Sequence, residues 1–282
     1  MNKILSCTDG SLYAPSVYAY TAWAARRTHA PVHVIHLLDA HRERAEVVDL
    51  SGHIGVDTEK TLLSQLTNLE ETRSRQAREK GQAIIDDARR RLTEADLTNF
   101  IAEQLHGELI ATVTAMEVEA GLVVIGQCGE SQAPLHPGSN LEQIVRGSVR
   151  PVLVVPQQFS PVTKYLIAYD GSTSAAKALE FVINQPLLKG LACHILRTGK
   201  IDDGAATQLQ EAAGKLEAAG YAVTSHLIAG HPETVVGDVV QGADIQMLVM
   251  GAYGHSRLRQ WIIGSTTTSL IKSSAIPILL FR

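Results

Sequence analysis

The chain is written twice. Lys3-Ile4-Leu5-Ser6-Cys7-Thr8-Asp9-Gly10-Ser11 recurs as Lys164-Tyr165-Leu166-Ile167-Ala168-Tyr169-Asp170-Gly171-Ser172. Val123-Val124-Ile125-Gly126 recurs as Leu248-Val249-Met250-Gly251, and Arg150-Pro151-Val152-Leu153-Val154-Val155 as Ile276-Pro277-Ile278-Leu279-Leu280-Phe281. Three matches in the same order point to duplication rather than coincidence. The 282 residues suit two ordinary domains. The joint, Gln157-Gln158-Phe159-Ser160-Pro161-Val162-Thr163, is short and carries a proline. The expected domains are therefore 1–157 and 163–282, sitting close together.

Within each copy, strand and helix signals alternate. In the second copy the expected strands are 164–169, 191–197, 221–229, 245–251 and 276–281. The expected helices between them are 173–184, 203–219, 232–242 and 265–274. Val235, Val236, Val239 and Val240 share one face of a 3.6-residue period. Short apolar runs such as Ile245 to Met250 suit parallel strands covered on both faces. Five strands separated by helices predict a doubly wound α/β domain in each half, with a five-stranded parallel sheet. Such sheets bind ligands at the carboxyl ends of the strands, where the strand order reverses.

The first copy carries about 36 additional residues, between its second and third strands. Leu62, Leu66 and Leu69 form an apolar stripe, and Ala83, Ile84, Ala88 and Leu92 are spaced as one face within a charge-rich stretch. This reads as a long helix, or two, covering the sheet. The heptad pattern does not persist long enough for a coiled coil.

Composition narrows the function. Lys plus Arg total 25 against 29 Asp plus Glu, a formal charge of −4. That balance argues against a nucleic-acid binder, which shows a basic face. Cys7, Cys128 and Cys193 form no CxxC pair and are odd in number, which fits a reducing cytoplasm better than a disulfide framework. No apolar run approaches the ~20 residues of a membrane span, and the N-terminus lacks a secretory pattern. A cytoplasmic protein without membrane partners is expected.

The strongest chemical signal is Gly251-Ala252-Tyr253-Gly254, then nine residues, then Gly264-Ser265-Thr266-Thr267. It starts at the end of an apolar strand and finishes at a helix start. Glycine permits close backbone approach, consecutive N–H groups form anion-binding nests, and the helix N-terminus offers unpaired donors and a positive dipole end. Ser265 and Thr266 either add hydroxyl donors or cap the helix, and the two roles are compatible. His255, Arg257 and Arg259 inside the loop either neutralise phosphate or are solvated charges.

Gly-x2-Gly-x9-Gly-Ser/Thr after a fourth strand, with an Asp closing the first, resembles the ATP-binding subgroup of the universal stress proteins. The resemblance covers the whole chain as two family domains. It implies ATP as ligand, with Asp170 and Gly171 beside the nucleotide and Asp170 near the ribose, the phosphates or a bound magnesium ion. The bland alternative for Asp170 is an Asx-type turn, since Asp-Gly-Ser is good turn chemistry. The resemblance also implies an adenine contact at the end of strand two, at about Leu196 or Arg197. An apolar residue is expected there, although Arg stacks on flat rings.

The first copy departs from the pattern. Gly126-Gln127-Cys128-Gly129 matches, but only eight residues precede Gly138-Ser139, and Pro134 and Pro137 stiffen that loop. Proline has no N–H to offer a phosphate. Asp9 remains and Leu37 suits the adenine position, so this site reads as altered. His231-Pro232-Glu233 and His106-Gly107-Glu108 are expected at corresponding strand-three ends.

The leading reading is an ATP-binding stress-response regulator, a nucleotide-dependent sensor or switch, without a dedicated catalytic cycle. The loop lacks the Lys of a GxxxxGK[ST] phosphate loop. The alternatives are an adenylate-forming or slowly ATP-hydrolysing enzyme, with self-phosphorylation included, and a nucleotide-independent scaffold holding another ligand in the first domain. The resemblance further implies an intrachain pseudo-dimer through strands 151–156 and 276–281, since apolar edge strands seek partners, and a possible homodimer of whole chains.

Overall fold

A computed structural model describes residues 1–38, 56–129, 140–252 and 265–282, with backbone alone for 56–66, 69–70, 265 and 266. The first half runs β1 (Ile4–Cys7), α1 (Ala14–Thr28), β2 (Val32–Leu38), α2 (Val56–Glu94), β3 (Phe100–His106), α3 (Leu109–Met116), β4 (Leu122–Gly126), α4 (Asn140–Gly147) and β5 (Val152–Val155). The second runs β6 (Lys164–Ala168), α5 (Thr173–Asn184), a 3₁₀ turn (Pro186–Leu188), β7 (Ala192–Gly199), α6 (Asp203–Ala218), β8 (Val223–Ala229), α7 (Pro232–Gly242), β9 (Met247–Gly251), α8 (Ser265–Ser273) and β10 (Ile278–Phe281).

Among the described residues, ten strands join one sheet in the order β3-β2-β1-β4-β5-β10-β9-β6-β7-β8. Pairing is parallel within each half. The halves meet where β5 runs antiparallel to β10, with Leu153 opposite Leu279 and Val154 opposite Ile278. The expected pseudo-dimer seam is thus present in the ladder. The antiparallel joint also reverses direction, so the strand carboxyl ends of the two halves lie on opposite edges of the sheet.

The strands next to the seam are buried throughout, as their apolar runs require: VLVV in β5 and ILLF in β10. Alternate residues feed two core layers. Leu153, Val155, Leu279 and Phe281 join the layer under α1, α2, α5 and α6. Val152, Val154, Ile278 and Leu280 join the layer under α3, α4, α7 and α8. Each layer draws on both halves, so the two domains share their cores.

Local chemistry sets the helix bounds. Ser172 caps α5 by accepting the Ala175 N–H, and Asp202 caps α6 through the Ala205 N–H. Proline opens α7, where its missing N–H costs nothing. The inserted segment is one helix of 39 residues, α2. Its C-terminal part seats Gly81, Ile84, Ile85, Ala88 and Leu92 inward. Ala83, expected on that face, is exposed, and Ile85 takes the inward position. The Leu62, Leu66 and Leu69 side chains lie outside the described residues. Among the described residues no helix is long and apolar enough to cross a membrane.

Further contacts tie the halves together. Arg27 donates to the carbonyls of Leu187 and Lys189 and lies over the Trp23 ring at 5.8 Å. Tyr20 packs edge-on against Phe159 of the joint, 4.7 Å between centroids, and bonds the Ser160 backbone. Gln127, inside the first glycine motif, donates to the Ile271 carbonyl of α8.

Candidate functional site

Each half reverses its strand order once, between β1 and β4 and again between β6 and β9. The helices that follow these strands lie on opposite faces, which leaves a crevice at the strand carboxyl ends. The sequence candidates fall around those two crevices.

In the second half, β6 ends in Tyr169-Asp170-Gly171. The Tyr169 N–H donates to the Leu196 carbonyl, 2.9 Å, and so extends the ladder one step past β6. The Ser172 N–H then donates to Asp170 Oδ1, 2.9 Å. Asp170 therefore forms the Asx-type turn weighed for it, and that turn fixes its carboxyl group at the mouth of the crevice. Gly171 has φ +75°, the left-handed region that favours glycine.

Across the crevice, Gly251 closes β9. A Cβ there would overlap Ser174 Oγ, so only glycine lets the strand end pass α5 this closely. The next residue, Ala252, donates to the Phe281 carbonyl at 2.7 Å, and its own carbonyl accepts from the buried Thr267 hydroxyl at 3.2 Å. That bond draws the first turn of α8 toward the end of β9. Gly254, His255 and Gly264 lie outside the described residues. Ser265 and Thr266 open α8.

The first half repeats the frame. The Ser11 N–H donates to Asp9 Oδ1, 3.0 Å, and Gly10 has φ +72°. Gly126 closes β4, and a Cβ on it would lie 2.8 Å from Tyr13 Cβ. Tyr13 occupies the place that Ser174 holds in the second half. Burial first, and then its hydrogen bond with Cys128, push the Tyr13 hydroxyl up to about 12. A Cβ on Gly129 would sit 3.0 Å from Asp9 Oδ2, so the loop runs directly past that carboxylate. Gly138 and Ser139 lie outside the described residues.

The register corrects one equivalence. Cys7 pairs with Ile35 and Ala168 with Leu196, so Leu196 corresponds to Ile35, Arg197 to His36 and Leu37 to Thr198. Leu37 is thus not the counterpart of either second-half candidate. The Leu196 side chain is buried in the same core layer as Val235 and Val236. Leu37 is half-buried against the same layer. The histidines at the strand-three ends are also offset. His106 ends β3, whereas His231 caps α7 in the place of Glu108 before α3.

Three residues around the second crevice were not singled out from sequence: Ser174, Gln208 and Thr267. Thr267 stood in the Gly-Ser-Thr-Thr run, and its position in that run was the available signal. Gln208 comes from α6, and a Cβ on Gly171 would meet its Oε1 at 2.7 Å. Nothing local in the sequence marks it.

Fold and crevices together define a class: a tandem, doubly wound α/β protein with one crevice at the strand carboxyl ends of each half. The chain belongs to the universal stress protein family, whose family model matches residues 1–156 and again 162–282. It is 37% identical to the universal stress protein Slr1230 of Synechocystis sp. over 287 aligned residues, covering 100% of both chains. It is 22% identical to the universal stress protein Rv1996 of Mycobacterium tuberculosis, covering 71% of this chain and 72% of that protein. Among solved structures, a universal stress protein from Archaeoglobus fulgidus superposes with a TM-score of 0.68 at 18% identity, covering 100% of this chain and 96% of that one.

Proposed function

We propose that the second domain binds ATP, and that the protein is a nucleotide-dependent sensor or switch in a cytoplasmic stress response. One observation carries this reading. At the β6/β9 crevice, the Asp170 turn, the glycine-only approach of Gly251 to α5 and the start of α8 at Ser265 converge. A helix start there suits phosphate oxygens. Asp170 and Gly171 would border the ribose and phosphates. Gly251, Gly254, His255, Gly264, Ser265 and Thr266 would cradle the phosphates. Magnesium, if bound, would take phosphate oxygens and water with Asp170 as its nearest carboxylate, since this ion uses few protein ligands. It would supply charge neutralisation. Slow hydrolysis or self-phosphorylation is secondary to binding in this reading.

The first domain supports a different use. Tyr13 with Cys128 brings bulk to the place of Ser174, and the loop runs against Asp9. That favours weak nucleotide binding or another ligand. A homodimer of whole chains remains part of the proposal.

The test is calorimetric ATP stoichiometry for the wild type, Gly264→Asp and Gly138→Asp, with thermal melting as the folding control. One site per chain, lost with Gly264→Asp and kept with Gly138→Asp, is expected. Two equal sites, or loss only with Gly138→Asp, would reverse the assignment. Equal affinity in excess chelator would remove the magnesium.

A further inference from the structure

Arg197 sits near the carboxyl end of β7, beside the Tyr169-Asp170-Gly171 turn. The residue is half-buried, and its Nε and Nη1 are shielded from water without an acceptor among the described residues. It makes no ion pair among those residues either. A buried donor left unpaired carries its full desolvation cost, and a guanidinium stays charged in proteins. The guanidinium is therefore held ready for an acceptor that the described residues do not supply.

The duplicate shows what a satisfied version looks like. His36 holds the same place in the first half, is buried, and donates its Nδ1–H to the Thr8 carbonyl at 2.9 Å. There a Cβ on Gly10 would meet the apolar Ile84 at 2.6 Å. In the second half a Cβ on Gly171 would meet Gln208 Oε1 at 2.7 Å and Arg197 Nη1 at 3.3 Å. The first half is closed and apolar at this point. The second is cationic and amide-lined, and Gln208 is exposed and able to swing aside. Asp170 and Glu211 also act on Tyr169, so the local field is mixed. An anion gains there through direct contact with Arg197.

Position decides what that anion is. Arg197 lies two strands from β9, across β6, a lateral distance of about 10 Å. A nucleotide with its 5′-phosphates at α8 and its ribose at the end of β6 would turn the ribose hydroxyls toward Arg197, which then serves the ribose edge in place of the adenine contact that the resemblance implies for it. In dinucleotide-binding doubly wound folds an Arg near the ribose accommodates its 2′-phosphate, which is a chemical precedent for the pairing. Phosphate is also the acceptor that guanidinium pairs with best.

Resting on the nucleotide reading above, we propose that Arg197 makes the ribose end of the second-domain site a phosphate subsite. The ligand class it selects is adenosine 5′-phosphates carrying a second phosphate on the 2′- or 3′-hydroxyl.

The experiment compares 5′-AMP with adenosine 2′,5′-bisphosphate and adenosine 3′,5′-bisphosphate by titration calorimetry, on the full chain. A charge-assisted hydrogen bond predicts that one bisphosphate binds about tenfold tighter than 5′-AMP. The isomer that gains identifies the hydroxyl facing Arg197. In Arg197→His, which installs the first-half residue, the ratio falls to about one. Arg197→Lys, which keeps the charge with fewer donors, retains part of it and serves if the His variant does not fold. Equal wild-type affinities for the three ligands, or a preference that survives Arg197→His, would overturn the subsite while leaving the nucleotide reading intact. Binding of none of them, nor of ATP, would overturn both.

Discussion

Leu279→Ala, in the last strand of the second domain, should unfold the first domain as well. Leu279 faces Leu153 across the seam, both are fully buried, and both belong to one core layer. Residues opposite each other in an antiparallel pair have Cβ atoms about 5 Å apart, so truncating one opens space beside the other. A Leu→Ala change at such a site costs about 2–5 kcal/mol, transfer and cavity together. Layers on both faces limit collapse here, and about 3 kcal/mol is a fair centre. With a urea slope of about 2 kcal/mol/M, the midpoint should fall by about 1.5 M. Each half carries one tryptophan, Trp23 and Trp261. In a Trp261→Phe background the fluorescence reports the first domain alone, through the buried Trp23. The expected result is that Leu279→Ala lowers the Trp23 midpoint together with the far-UV circular dichroism midpoint, in one transition. The double change Leu153→Ala/Leu279→Ala should cost less than the two single changes together, because the cavities merge. An unmoved Trp23 midpoint, with a separate earlier transition for the second half, would refute the shared core.

Acid should weaken the second domain through His194 and His226, whose Nδ1 and Nε2 lie 3.0 Å apart on β7 and β8. Burial, then His226, then Lys164 hold the His194 pKa below the ordinary value, so the stabilisation is present above about pH 6.5 and is lost as pH falls below it. His226→Glu copies the His33–Glu103 pair of the first half, 2.6 Å, and should shrink the drop in melting temperature between pH 7.5 and pH 5. An identical drop in both proteins would count against the pair. Gly251→Ala should cost about 1–3 kcal/mol by overpacking against Ser174. Adding Ser174→Gly should recover part of that in thermal melts, and no recovery would place the strain elsewhere. Arg27→Ala should lower stability and shift Trp23 emission by removing the two carbonyl bonds and the ring contact. Arg27→Lys should not restore it, because an ammonium lacks the planar fork, and full rescue by Lys would reduce the role to charge.

The elements were legible where local chemistry is sharp. Helices 173–184 and 232–242 begin and end where expected, since Ser172 supplies a cap and Pro232 a preset start. Strand starts were read two residues early at β9 and β10. The Ile245 N–H donates back to Val240, and Pro277 has no N–H to give the ladder. The inward face of α2 was misread at Ala83 because alanine suits either side of a helix. The crevices were legible as strand ends. Leu37 and the second-half candidates Leu196 and Arg197 do not hold equivalent places, because register is set by the ladder, which gives Leu37 the place of Thr198. Gln208 was invisible for a related reason. It reaches Gly171 only through the way α6 lies on the sheet, which no spacing within the chain records.

The antiparallel joint between β5 and β10 has a consequence for how such a protein can diversify. Two separate copies meeting through these strands would be related by a twofold axis, and any substitution would appear on both sides of it. Joined by seven residues, Gln157 to Thr163, the halves keep the packing of a symmetric pair while each codon acts once. One half carries His36 and Tyr13, the other Arg197 and Ser174. One crossover is a helix of 39 residues and the other a helix of 16. The crevices open on opposite edges of the sheet, so no single small ligand can bridge them. Any message between them must cross the seam as a change in packing, and the bond from Gln127 to the Ile271 carbonyl of α8 marks one place where it would be felt.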